Sequence, residues 1–180
     1  MNAHSKREAS SMSRLRLLIG ALVLVTAVVL LPGTAAATVC TPHSPANPPP
    51  TSGNDVLGNP TWGQPERLEG LAGNDILYGS YGYGDYLCGN QDTDIIWGDY
   101  GDEDINAGDG PDTIHGQGNA DLIHGGSLRD DIYGEAGGDN LFGDDYSDNL
   151  YGGNGTDWGD GGAGTDYCNS IEHPTSCESF

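Results

Sequence analysis

A nine-residue period organises most of this chain. Between Ala107 and Asn169 the sequence divides without a gap into seven nonamers, from AGDGPDTIH to GGAGTDYCN. Each of the seven has an aspartate in its sixth place, and five have isoleucine or leucine in the eighth. Three units upstream, SYGYGDYLC, GNQDTDIIW and GDYGDEDIN, keep the same phase. Because a unit this short can bury its apolar face only against neighbouring units, the period predicts a solenoid.

Three more units precede these ten and are shifted from their phase by small insertions. They are PTSGNDVLG, TWGQPERLE and GLAGNDILY, so the array is predicted to cover residues 50–169. Residues 170–180 are expected to cap its end.

The places within a unit differ in their backbone preferences. The first six are rich in glycine, aspartate and asparagine, which accept the positive φ of tight turns. The last three are predicted to form a short strand, in which the eighth side chain points inward and the seventh and ninth point outward. Successive strands then lie on opposite walls, with two units in each turn. We expect an all-β fold, a parallel β-roll (β-solenoid) with an inward aliphatic column from Leu68 to Leu150.

The amino-terminal segment has the pattern of a secretory signal. Four basic residues precede a continuous apolar run from Leu17 to Leu31, and small residues follow up to Ala37. Residues 1–37 are therefore predicted to be a signal peptide that is removed on export, which would make the protein secreted and extracellular. A single membrane span is the alternative, but the run is short for the roughly 20 residues that a bilayer requires. Residues 38–49 are predicted to be a proline-rich linker.

Acidic residues dominate the charge, at 27 against 6 basic residues. This balance excludes nucleic-acid binding through a basic patch. Without residues 1–37 the chain keeps two arginines against 26 acidic residues, a formal charge of −24. Because a compact chain with this charge repels itself and the aliphatic column is thin, the fold is expected to require bound cations.

The sixth-place carboxylates have a spacing that suits metal binding. They recur every 18 residues on each side of the predicted coil, so those of neighbouring turns should come together. Paired carboxylates and turn carbonyls make an all-oxygen cage, which suits calcium better than magnesium because calcium accepts more ligands in looser geometry. We predict several calcium ions. The predicted ligands on one edge are Asp75, Asp94, Asp112, Asp130, Asp148 and Asp166. Those on the other edge are Asp85, Glu103, Asp121, Asp139 and Asp157, preceded by Glu66.

The array resembles the RTX, or haemolysin-type, calcium-binding repeat, whose consensus is GGxGxDxUx with a large aliphatic residue at U. GGNGTDWGD and GGAGTDYCN match it most closely, and the resemblance covers 120 of the 180 residues. It implies a parallel β-roll, calcium held between turns by sixth-place aspartates and turn carbonyls, and a metal-free chain that is largely unfolded. The simplest alternative is that the acidic residues only keep a β-solenoid soluble.

Several units depart from this consensus. Tyr83, Leu128 and Tyr146 stand in the fourth place, which is usually glycine and where a positive φ would be costly for them. Glu66 and Glu103 lengthen the ligand arm. We therefore expect the edge that contains Glu103 to bind metal less evenly, with Glu103 as its weakest ligand.

Four cysteines in a secreted chain suggest disulfides. Cys168 and Cys177 lie nine residues apart where the repeat ends, and a bridge between them would fold the tail over the last turn and cover the open sheet edge. Cys40 is then expected to pair with Cys88 and attach the linker to the roll.

Aromatic side chains in ninth places recur along one wall, each 18 or 19 residues from the next. They are Tyr78, Trp97, His115, Tyr133 and Tyr151. An outward column of this kind suits stacking on sugar rings or contact with a partner protein, although we favour cross-strand stacking that stabilises the sheet. His115 and His124 invite a zinc hypothesis, but their spacing of nine places them on opposite walls.

No separate domain remains for an active site, and we expect no enzymatic activity. The predicted function is that of a secreted calcium-binding protein whose β-roll folds when calcium binds between successive turns. Neither a nucleic-acid partner nor stable membrane insertion after signal removal is expected. The alternative is an extracellular glycan- or protein-binding module that uses the aromatic column.

Overall fold

The structure, a computed structural model, describes residues 50–58 and 64–178. The predicted signal peptide and linker and Cys40 lie outside these residues. The described chain contains no helix with the length and hydropathy needed to cross a bilayer. Its strands are β1 (Val56–Gly58), β2 (Arg67–Ala72), β3 (Ile76–Tyr78), β4 (Tyr86–Gln91), β5 (Ile95–Trp97), β6 (Asp104–Asp109), β7 (Thr113–Gly118), β8 (Leu122–Ser127), β9 (Asp131–Gly137), β10 (Asn140–Asp145), β11 (Asn149–Gly155), β12 (Trp158–Asp160), β13 (Tyr167–Asn169) and β14 (His173–Thr175).

The strands form two parallel sheets of seven strands each. The odd-numbered strands pair in the order β1-β3-β5-β7-β9-β11-β13, and the even-numbered strands pair from β2 to β14 in the same manner. Consecutive strands therefore alternate between the sheets, so one turn comprises two units. The predicted β-solenoid, a parallel β-roll, is confirmed, with about six turns.

Eighth-place side chains fill the space between the sheets, as predicted. They stack in register from turn to turn, as in the pairs Ile96 with Ile114 and Ile114 with Ile132. None of them is more than 5% exposed. The column comprises Leu57, Leu68, Leu77, Leu87, Ile96, Ile105, Ile114, Ile123, Ile132, Leu141 and Leu150.

Gly159 interrupts this column, and a tail residue fills the space. A Cβ on Gly159 would lie 2.6 Å from Cδ1 of Ile171. Ile171 is partly buried and packs against the core, as does Cys168. The last turn is thus closed by an aliphatic side chain from outside the repeat.

Many strands are longer than the three residues predicted. β6 runs from the seventh place of one unit to the third place of the next, and its last residues pair in register with β8, Gly108 with Gly126 and Asp109 with Ser127. The backbone can stay in the sheet because second-place residues take a positive φ there. Gln117 has φ 78° and Glu135 has φ 73°. The turn between walls is therefore shorter than the glycine-rich composition indicates.

The three large hydrophobic residues in the fourth place differ in their backbone conformation. Leu128 and Tyr146 adopt φ of 77° and 78°, a left-handed backbone that costs a non-glycine residue on the order of 1 kcal/mol or more. Tyr83 is not among the positive-φ residues of the described chain, and Gly82 takes φ 83° in that unit instead. A one-residue shift of the turn thus avoids the cost at Tyr83.

The predicted disulfide between Cys168 and Cys177 is present, with Cα atoms 5.7 Å apart. The tail folds back over the last turn, where β14 pairs with β12 and Glu178 bridges to Tyr167 of β13. Both sheets are covered at this end. Cys88 is fully buried. Its pairing with Cys40 stays a prediction because Cys40 lies outside the described residues.

Candidate metal sites

The sixth-place acidic residues lie in two files, one along each rim of the roll. Each residue immediately precedes a strand, so the strand register also sets the carboxylate register. The odd-strand file comprises Asp55, Asp75, Asp94, Asp112, Asp130, Asp148 and Asp166, and the even-strand file comprises Glu66, Asp85, Glu103, Asp121, Asp139 and Asp157. The eleven residues predicted as ligands are at most 3% exposed. This is an unusual degree of burial for carboxylates.

In the aspartates of the two files from Asp75 onward, one carboxylate oxygen receives a backbone donor from the previous turn. In the odd-strand file the N–H of Asp94 donates to Oδ1 of Asp112 at 2.7 Å, and the same bond recurs from Asp55 to Asp166. In the even-strand file it links Glu66 to Asp85 and then continues from Glu103 to Asp157. Within the described residues, the step from Asp85 to Glu103 lacks it.

The second oxygen is buried without any donor. This applies to Oδ2 of eight aspartates and to both carboxylate oxygens of Glu103. The aspartates are Asp75, Asp94, Asp112, Asp121, Asp130, Asp139, Asp148 and Asp157. A buried carboxylate oxygen without a donor is costly, so this arrangement calls for protons or cations along both rims.

Asp85 and Asp166 are outside this set, and in the case of Asp85 the reason is that Ser80 takes the first place of its unit. The Ser80 hydroxyl lies 3.0 Å from Oδ2 and 3.1 Å from Oδ1 of Asp85, and the Ser80 N–H also donates to Oδ2. Asp85 therefore has donors for both of its oxygens. The sequence shows this serine, but its role could be seen only once its contact with Asp85 was known.

First-place glycines leave room for the oxygen atoms at these positions. A Cβ on Gly143 would lie 2.5 Å from Oδ2 of Asp148 and 2.5 Å from the carbonyl oxygen of Gly161, one turn further along. Gly134 has the same relationship to Asp139 and Gly152, at 2.5 and 2.8 Å. At both positions the donor-free Oδ2 thus lies close to a first-place carbonyl oxygen of the next turn.

Burial raises the pKa of these carboxyl groups. Loss of solvent is the largest cause, and neighbouring carboxylates raise the pKa further while the N–H bond from the previous turn lowers it. The pKa is about 7 for Asp94, Asp112 and Asp148, about 9 for Asp130 and about 6 for Asp139. The pKa of Glu103 and Asp121, which contact each other, is likewise raised, chiefly by burial. Near neutral pH the metal-free rims therefore retain protons that a bound divalent cation would displace.

The donor set fits a hard cation. Within the described residues, no group of three or more His, Cys, Asp or Glu side chains converges as a metal site. The files instead bring carboxylates together one neighbour at a time, so further ligands would have to be turn carbonyls such as those beside the first-place glycines. Oxygen-only ligation of this kind suits calcium and does not suit zinc.

The histidines are separated as predicted. His115 is in β7 of the odd-strand sheet and His124 is in β8 of the even-strand sheet. Nδ1 of His115 lies 2.8 Å from Oε1 of Glu135, and Nδ1 of His124 lies 3.0 Å from Oδ2 of Asp144. The two side chains do not form a shared site.

The ninth-place rings stack on one another. Trp97 and His115 have ring centroids 3.9 Å apart and nearly parallel planes, and His115 with Tyr133 and Tyr133 with Tyr151 follow at 4.9 Å each. Tyr78 is in register with Trp97. Because the faces of the inner rings are covered by their neighbours, the stacking stabilises the sheet. Recognition of a glycan or a partner protein through this column stays a prediction.

Two glutamates outside the repeat join the ends of the files. Oε2 of Glu172 accepts the N–H of Asp157 at 2.8 Å, and Oε2 of Glu178 accepts the N–H of Asp166. They follow Asp157 and Asp166 by 15 and 12 residues, not by 18. No periodic signal identifies them in the sequence.

Comparison with known proteins agrees with this geometry. Residues 65–96, 97–132 and 133–168 match the family model described as the RTX calcium-binding nonapeptide repeat (4 copies). No curated protein and no solved structure was found to match the chain. The family match covers more than half of the 180 residues and coincides with the two carboxylate files. The chain therefore belongs to the RTX calcium-binding nonapeptide repeat family.

Proposed function

We propose that this is a secreted protein whose β-roll folds when calcium binds between successive turns. The observation that carries the proposal is the row of donor-free, buried carboxylate oxygens along both rims. Family membership supplies the chemical identity of the cation, and the all-oxygen surroundings agree with it.

Calcium binding is coupled to folding because the sites exist only where turns meet. A ligand pair such as Asp112 and Asp130 is 18 residues apart in the sequence and adjacent only when two turns are stacked. Without metal, closing such a pair confines two carboxyl groups in a buried position, which costs free energy. Calcium removes that cost only in the folded state, so its binding free energy becomes folding free energy.

The two files are expected to bind differently. The odd-strand file has an unbroken N–H to Oδ1 series, which supports even binding at Asp75, Asp94, Asp112, Asp130, Asp148 and Asp166. In the even-strand file, Ser80 already supplies donors to Asp85, and the series is interrupted before Glu103. We therefore place the stronger sites of this file at Asp121, Asp139 and Asp157.

Export would move the chain from the low calcium concentration inside the cell to a much higher one outside. Extracellular calcium modules bind at about 10⁻⁴ to 10⁻³ M, far above the level inside a resting cell, so the chain would remain unfolded before secretion and fold after it. Residues 1–37 supply the export signal in this scheme. An exported protein that begins at Thr38 would support it, and one that retains residues 1–37 would contradict it.

Amide hydrogen exchange tests coupled folding strand by strand. Residues 38–180 would be compared in chelator, in magnesium and in calcium at about pH 7.5, with β7 to β11 as the reporting strands. Slow exchange in these strands is expected only with calcium. Equal protection in chelator would exclude coupled folding, and equal protection in magnesium would exclude calcium specificity.

A further inference from the structure

The tail continues the even-strand sheet for one more rung although its sequence has left the repeat. β14 pairs with β12 in the register Trp158 with His173, and the N–H of His173 donates to the carbonyl oxygen of Asp157 at 3.0 Å. One turn earlier, the N–H of Trp158 donates to the carbonyl oxygen of Asp139 at 2.8 Å. His173 thus occupies the position of a seventh-place residue, which puts Glu172 in the position of a sixth-place residue.

The carboxylate of Glu172 makes the bond that defines the file. It accepts the N–H of Asp157 at 2.8 Å, just as Asp157 accepts the N–H of Asp139 at 2.9 Å. Its spacing of 15 residues from Asp157 reflects a shorter path of the chain back to the rim. The additional methylene of glutamate extends the reach of the carboxylate.

A carbonyl oxygen of the tail completes the pattern. A Cβ on Gly152 would lie 2.6 Å from Oδ2 of Asp157 and 2.1 Å from the carbonyl oxygen of Ser170. Inside the array the corresponding Cβ, on Gly134, would meet Oδ2 of Asp139 and the carbonyl oxygen of Gly152. Oδ2 of Asp157 is fully buried and has no donor. The last rung therefore presents the same oxygen atoms as the rungs within the repeat.

We propose that Glu172 is a calcium ligand that completes, with Asp157 and the Ser170 carbonyl, a terminal calcium site lying partly outside the repeat array. The inference rests on the proposed calcium function and adds a ligand from residues 170–180, beyond the family match. Because Glu172 is exposed, this site opens to solvent and is the last of its file to fill.

In the folded roll, contacts that do not involve Glu172 itself hold the tail in place. Its neighbour Ile171 fills the space above Gly159, and the disulfide between Cys168 and Cys177 holds the tail on the last turn. Glu172→Gln keeps an oxygen that accepts the N–H of Asp157, removes the charge and replaces the other oxygen by an amide nitrogen that cannot bind calcium. The variant should therefore fold and lose one ligand.

Counting bound ions tests the inference. Equilibrium dialysis with radioactive calcium would compare the mature chain with Glu172→Gln and with Glu135→Gln, a matched control whose exposed side chain lies outside both files and contacts His115. Glu172→Gln should bind one ion fewer, or bind its last ion at least tenfold more weakly, while Glu135→Gln should bind as the unaltered chain does. Equal binding by all three would overturn the Glu172 assignment and leave the proposed function intact. No binding by any of them would overturn both.

A second measurement requires no altered chain during the titration. The side-chain carboxyl carbon of Glu172 would be followed by carbon-13 NMR as calcium is added, after assignment by through-bond correlation to its own backbone. Its resonance should shift in the last phase of the titration. A resonance that stays unchanged through saturation would exclude Glu172 as a ligand even if Glu172→Gln failed to fold.

Discussion

The backbone N–H of Asp112 donates to Oδ1 of Asp130 at 2.8 Å, while Oδ2 of Asp130 is fully buried and has no donor. One oxygen of the carboxylate thus holds two turns together, and the other is available to a cation. The same arrangement recurs along both rims. A substitution or a change of pH that removes carboxylate charge is therefore expected to have opposite effects on the stability of the metal-free and the calcium-bound protein.

Asp130→Asn should weaken the calcium-bound roll and strengthen the metal-free one. Asparagine can still accept the N–H of Asp112 but cannot neutralise calcium, so calcium affinity should fall at least tenfold. Without metal, a neutral side chain avoids the cost that raises the pKa of Asp130 to about 9, and the free energy of unfolding should rise by about 1 kcal/mol or more. Urea unfolding in saturating calcium measures the first effect, and the residual β-structure in chelator, followed by far-UV circular dichroism, measures the second.

Asp131→Asn is the matched control for that change. Asp131 is the next residue, in the seventh place, and its Oδ1 accepts the side-chain amide of Asn149 instead of facing the file. Its calcium affinity should stay within about twofold of the unaltered chain. An equal loss of affinity in both variants would show that total charge, and not the file, governs binding.

The metal-free and calcium-bound proteins should respond to pH in opposite directions. Burial raises the pKa of Asp94, Asp112 and Asp148 to about 7, well above the unfolded value, so these groups stabilise the metal-free fold fully below about pH 4 and lose that contribution as pH rises through about 7. With calcium the carboxylates must be ionised, so stability should instead fall on acidification as calcium is released.

Far-UV circular dichroism between about pH 4 and 9, with and without calcium, would measure these opposite pH dependences. Calcium-free protein should gain β-structure as the pH is lowered, and calcium-saturated protein should lose bound ions over the same range. Parallel pH profiles with and without calcium would contradict the placement of metal at these carboxyl groups.

Gly143→Ala should damage one site of the odd-strand file. The new Cβ would lie 2.5 Å from both Oδ2 of Asp148 and the Gly161 carbonyl oxygen, so the turn must shift at a cost of about 1 to 3 kcal/mol. Gly138→Ala is the control, because its nearest neighbour would be the Thr156 carbonyl oxygen at 3.4 Å. Calcium titration calorimetry should show weaker binding for Gly143→Ala alone, and unchanged binding by that variant would contradict the role of the glycine.

Leu128→Gly should stabilise the roll. Leu128 is 45% exposed and has φ 77°, so glycine relieves backbone strain with little loss of packing, for a gain of about 0.5 to 1 kcal/mol. Leu122→Gly is the comparison, since Leu122 is 37% exposed but lies in the regular strand β8, where glycine should destabilise. Thermal unfolding in saturating calcium would rank them, and the reverse order would contradict the account of the fourth place.

The sequence predicts the periodic part of this structure because, in a solenoid, spacing along the chain becomes position in space. Ile96 and Ile114 stack because they are 18 residues apart, and Asp112 meets Asp130 for the same reason. The two files and the inward column could therefore be predicted without coordinates.

What departs from the period could not be predicted in this way. Glu172 accepts the N–H of Asp157 from a tail whose path has no repeat. Ser80 donates hydrogen bonds to Asp85, whose oxygens would otherwise be available to a metal ion. The extension of strands into the following unit depends on residues such as Gln117 accepting a positive φ, which composition does not reveal. Each of these features depends on particular residues and not on the period of the repeat.

The most direct test is a calcium titration of residues 38–180, followed by far-UV circular dichroism at about pH 7.5, with magnesium as the control. A largely unordered chain in chelator that acquires β-structure with millimolar calcium, and not with equal magnesium, is the predicted result. A roll that is complete in chelator, or one that magnesium restores equally well, would contradict the account.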